Sequence, residues 1–132
     1  MAAAKDIPKV KVDKAQYVKY WRKAEEFLEM ANESITRRNW NAAALNSVHA
    51  AISANDALLV CYHGVRSVSP RHDDALRLLL SLVEREDTRQ NSAHLRRLIA
   101  KKNLVEYEAR LFLKSEAEEL TRHAERFVWW VK

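Results

Sequence analysis

Apolar residues recur at three- and four-residue steps through most of the chain, a spacing that predicts helices. The fullest run is Asn41 to Tyr62 (NAAALNSVHAAISANDALLVCY). Ala43, Ala44, Val48, Ala51, Ile52, Leu58 and Leu59 trace one face, and Leu45, Ala50, Ala54, Ala57, Val60 and Cys61 fill most of the other. A helix apolar all round is a buried one, and its small residues let neighbours approach closely. Asn46, Ser47, His49, Asn55 and Asp56 argue against a membrane span, where polar groups are costly.

The flanking segments read more conventionally. Residues 1–12 look like a frayed, basic, flexible leader, and 13–132 like one helical domain. Asp13 suits the N-cap of a first helix over about 14–38, with Tyr17, Tyr20, Trp21, Ala24, Phe27, Leu28, Ala31 and Ile35 as its stripe. Gly64 is a natural stop for the central helix. Ser69 and Pro70 open a third helix to about Arg85, carrying Leu76, Leu79, Leu80 and Val83 inward. Residues 86–91 read as a turn and 92–102 as a short fourth helix, with 103–114 fitting an extended connection. Ser115 and Glu118 have capping-box spacing before a last helix whose stripe is Ala117, Leu120, Ala124, Phe127, Val128 and Val131. The fold class is all-α, an up-and-down bundle of four to five helices.

Composition agrees: one Gly, two Pro and 48% hydrophobic residues in 132 favour helices joined by short turns around one core. A single cysteine excludes a disulfide framework and a cysteine-based metal site, which fits a reducing, cytoplasmic setting. The net charge of +5 is compatible with a polyanionic partner, though charge alone decides nothing. No metal or other cofactor is expected, because the five histidines form no i, i+4 pair and one Gly cannot build a phosphate loop. Lys101, Lys102, Asn103 and Tyr107, with Arg96, Arg97 and Arg110 nearby, make a basic cluster suited to phosphate contacts and base stacking. Asn55 and Asp56, in the central helix, are either satisfied by neighbouring helix ends or open to a cleft or interface. Trp129 falls off the inward stripe of the last helix and suggests a homodimer contact.

Taken in order, YWRKAEEFLEMA, NAAALNSVHAAISANDALL, GVRS, His72 with DDALRLLL, KKNLVEYE and SEAEELTRHAERFV resemble the HEPN family over about residues 15–131. The resemblance implies a helical bundle, usually dimeric, associated with RNA or nucleotide binding, toxin–antitoxin pairs or a partner nucleotidyltransferase. Active members are metal-independent ribonucleases with an Arg followed after four to six residues by a His. In the matching stretch here, Lys102 stands in place of Arg and no His follows before His123. Arg89 to His94 and Arg66 to His72 have the spacing elsewhere. The expectation is therefore a non-catalytic member that binds RNA, nucleotide or a partner protein through Lys102, Asn103, Tyr107, Asp56 and His72. The alternatives are a ribonuclease using Arg89 and His94, or a pure interaction module such as an antitoxin or nucleotidyltransferase partner.

Overall fold

The computed structural model describes residues 7–69, 71, 73–108 and 110–132, without the side chains of residues 103 and 105–107. These form, in order, β1 (Lys9–Lys11), α1 (Tyr17–Thr36), α2 (Trp40–His63), β2 (Val65–Ser67), α3 (Asp73–Leu82), α4 (Thr88–Tyr107) and α5 (Lys114–Val131). The architecture is an all-α bundle with one small sheet. Helix α2 is its axis, packed against all four other helices, with Val48, Ala51, Ala54, Leu58 and Leu59 essentially sealed from solvent. Burying each such Leu stabilises the fold by roughly 1.5–3 kcal/mol. No helix is long and apolar enough to cross a membrane among the described residues.

Helices α1 and α2 form the most extensive pairing, joined by a three-residue turn. The Asn39 N–H reaches Ser34 C=O at 2.8 Å and the Arg38 N–H reaches Ile35 C=O at 3.1 Å, the paired bonds that close a helix through a left-handed residue. That residue is Arg38, at φ 60°. At the other end of α2, Gly64 takes φ 64°, a conformation in which a Cβ would also sit 3.1 Å from Val12 C=O. The Gly64 carbonyl accepts from Val12 N–H at 2.7 Å, which brings the N-terminal segment onto α2.

This contact changes the reading of the leader. From Ile7 onward it is ordered: Ile7 is 2% exposed, and Lys9–Lys11 pairs antiparallel with Val65–Ser67, Val10 opposite Arg66. Residues 1–6 lie outside the described residues. The alternation in KVKV and VRSV is a strand signal, but three residues are too few to stand out from a loop.

Three helix ends also move. Helix α3 starts at Asp73, preceded by a turn in which the Ser69 hydroxyl accepts from Arg71 N–H and donates to Asp74; Pro70 lies outside the described residues. Helix α4 runs from Thr88 to Tyr107, absorbing most of the turn before it and the start of the connection after it. Helix α5 starts one residue before Ser115. Its first turn is closed by Glu116, not Glu118: the carboxylate accepts from Leu113 N–H at 3.0 Å and pairs with Arg110. These bonds hold the Glu116 pKa below the usual carboxylate range, the backbone bond contributing most. Helix α5 is tied to α2 by a buried hydroxyl pair. Thr121 donates to Ala117 C=O, so Ser47 donates to Thr121 Oγ1 at 3.0 Å.

Candidate functional site

The first two turns of α4 and the second half of α5 diverge to leave a cleft of about 600 Å³. On α4, Ser92, Leu95, Leu98 and Ile99 turn into the core, and Asp87, Asn91 and His94, at steps of four and three, turn to the cleft. On α5, Ala117, Leu120, Ala124, Phe127 and Val128 are buried, and Arg122, Glu125, Arg126, Trp129 and Trp130 complete the lining. The amphipathic period of two helices is what gathers these side chains.

At the helix contact, His94 Nδ1 lies 2.9 Å from His123 Nδ1, with ring centroids 5.2 Å apart. One ring must donate and the other accept, since two imidazolium rings would present a donor to a donor. His123 Nε2 is 3.5 Å from Glu119 Oε1, which also takes a hydrogen bond from Arg97 at 3.0 Å. Burial holds His94 below the ordinary imidazole range, and positive charge on His123 or Arg126 adds to this. Burial does the same to His123 and outweighs the opposing pull of Glu119, while Arg97 and Arg126 act in burial's direction. Both rings are therefore biased to the neutral form near neutral pH, as a proton acceptor requires.

Around the cleft, Arg122 and Arg126 face Asp87 and Glu125. Arg85 stacks on the Trp130 ring at 4.7 Å and donates to its carbonyl at 3.3 Å, and the start of α4 adds the positive end of a helix dipole. Within the lining, Arg122 and Arg126 are the groups able to hold an anion. Trp129 is 72% exposed, with Lys132 Nζ 5.5 Å from its ring centroid. Such a ring is a ready stacking surface.

Of the residues singled out in the sequence, His94 is brought into this cleft and Arg89 is not. Arg89 is exposed, and five residues of helix turn it about 140° from His94. Arg122 and Arg126 supply the guanidinium groups instead. Lys102 is buried, at 6% exposure. Asn103 and Tyr107 lie on the last turns of α4 with side chains outside the described residues, and His72 lies wholly outside them. Asp56 faces Arg66 on β2, Nε to Oδ2 3.6 Å, with Lys23 also near. Burial pushes its pKa up to about 6 against the pull of those cations. Arg66 in turn lies over the Tyr20 ring, 5.4 Å from its centroid, and Asn55 donates to Ala75 C=O at 3.3 Å. Asp56 and Asn55 thus serve the junction of α2 with the sheet, α1 and α3.

Sequence reasoning missed His123, Arg122, Arg126 and Glu119 as a group. Glu119, Arg122, His123 and Arg126 do recur at helical steps, but only the approach of α4 gives them a partner. Among the described residues, no cluster of three or more His, Cys, Asp or Glu side chains is placed to hold a metal ion. The family model described as HEPN domain matches residues 17–132, nearly the whole chain. No curated protein matches it.

Proposed function

The chain belongs to the HEPN domain family, and on that footing we propose that the cleft between α4 and α5 binds single-stranded RNA and cleaves it without a metal. One observation carries the reading: a histidine biased to neutrality, His94, is held by a second histidine at the edge of a cleft that also presents Arg122 and Arg126. In this mechanism a backbone phosphate sits against the two arginines, and a base stacks on Trp129. His94 takes the proton of the 2′-hydroxyl as its oxygen attacks phosphorus. The bond from phosphorus to the 5′ oxygen breaks, and that oxygen takes up a proton returned by the His94 imidazolium. The products are a 2′,3′-cyclic phosphate and a 5′-hydroxyl. The arginines stabilise the charge that gathers on the phosphorane oxygens.

The rival reading, a binding-only member using the Lys102 region, has less support because Lys102 is buried. Incubating a labelled single-stranded oligoribonucleotide with wild type and His94→Ala, in excess EDTA, decides between them. Cleavage by wild type should fall on the order of 10²- to 10⁴-fold in the variant. Binding by both with cleavage by neither would leave a non-catalytic RNA binder. No binding at all would send the search to protein partners.

A further inference from the structure

A 2.9 Å contact and a longer one of 3.5 Å link three groups beside the cleft: Glu119, His123, His94. Their proton arrangement follows from chemistry. Glu119 is an acceptor, so the ring nitrogen facing it, His123 Nε2, is best occupied by a proton. A neutral imidazole carries one proton, so His123 Nδ1 is then a lone pair. The nitrogen 2.9 Å from that lone pair is His94 Nδ1, which must donate. His94 Nε2 is left bare, on a ring that lines the cleft. The opposite arrangement would set the His123 Nε2 lone pair against the Glu119 carboxylate, a repulsion at 3.5 Å.

We propose that Glu119 and His123 are positioning residues that fix the tautomer of His94, keeping Nε2 unprotonated and open to the cleft. The assignment rests on the reading of His94 as the base, and deepens it. A histidine in water favours a proton on Nε2, the form that cannot accept from a substrate there. The relay reverses that preference and orients the ring, much as a buried carboxylate orients the histidine of a serine-protease triad. The charged groups acting on the pair come from both helices: Arg97 on α4, and Glu119 and Arg126 on α5. Arg97 donates to the same Glu119 oxygen and fixes its position.

The test is nitrogen NMR on ¹⁵N-histidine-labelled protein near pH 7, which reads each ring nitrogen as protonated or bare. The wild type should show His94 protonated at Nδ1 and bare at Nε2, with His123 the reverse. His123→Ala should return His94 to the Nε2-protonated form. His123→Asn keeps a side-chain carbonyl able to accept from His94 and should restore the Nδ1-protonated form in part. His94 protonated at Nε2 in the wild type would overturn the relay, and that measurement needs no variant and no RNA. In the cleavage assay, His123→Ala should lose on the order of 10²- to 10⁴-fold while a 2′-O-methylated oligonucleotide still binds. The NMR signature without RNA cleavage would keep the relay and sink the catalytic reading; cleavage with the wrong tautomer would do the opposite.

Discussion

Two titratable sites, one buried and one half-buried, differ in what surrounds them. At the first, Asp56 is enclosed by Arg66, Lys23 and the sheet, so that its surroundings are supplied by the fold itself. At the second, His94 has one protein partner on one ring nitrogen and a cleft beside it. Burial disfavours the charged form at both, which raises the carboxyl group and lowers the imidazoles. The contrast teaches that a perturbed acid or base marks a functional candidate only where part of it still faces open space. Asp56 does not meet that condition and His94 does.

The sharpest way to break the comparison is to follow stability against pH. Asp56 has a raised native pKa, so its contribution is fully present below about 3.8, the unfolded value, and is lost as pH rises through about 6. The span corresponds to about 3 kcal/mol of stability at most. Urea midpoints of wild type and Asp56→Asn between pH 4 and 7 should diverge by an amount of that order. The lowered histidines act in the other direction. Their stability is present above the ordinary imidazole value and lost as pH falls through their native pKa. Removing Asp56 should thus leave a curve that declines towards acid. An unchanged curve in the variant would mean that Asp56 is not the buried acid described.

A smaller effect sharpens the other half of the comparison. Trp129→Ala should weaken single-stranded oligoribonucleotide binding by about 1–3 kcal/mol, the usual worth of one base stack, with little change in the urea midpoint. Asp56→Asn should do the reverse. If Trp129→Ala instead converts a dimer to a monomer in sedimentation, the ring is an interface residue and the stacking role falls.

Periodicity made α1, α2 and α5 legible, because each carries a stripe longer than three turns, and Gly64 marked the end of α2 by its backbone freedom. The start of α5 was misplaced because Ser115 and Glu118 have the same three-residue spacing as Leu113 and Glu116, the pair that closes the first turn two residues earlier. The strands were missed for want of length. The site was only half legible: His94 could be singled out from its distance to Arg89, yet the arginines and the second histidine that matter lie nearly thirty residues on. Spacing along a chain describes one helix, and the cleft belongs to two.

The pairing of Lys9–Lys11 with Val65–Ser67 turns α1 and α2 into a closed ring. Joining ends so far apart in a random chain is entropically costly, and six strand residues with one buried Ile7 supply little to offset it. Once the α1–α2 hairpin has formed, the same ends already lie side by side and the closure costs almost nothing. Order of assembly follows from that difference: hairpin first, clasp afterwards, and the clasp opens before the hairpin does. Amide exchange at Val10 and Val12, whose N–H groups point into the ladder, should therefore be faster than at Leu58 and Leu59, and equal protection would contradict this sequence of events. The strand is a latch on a finished object, and the bundle can be whole before it shuts.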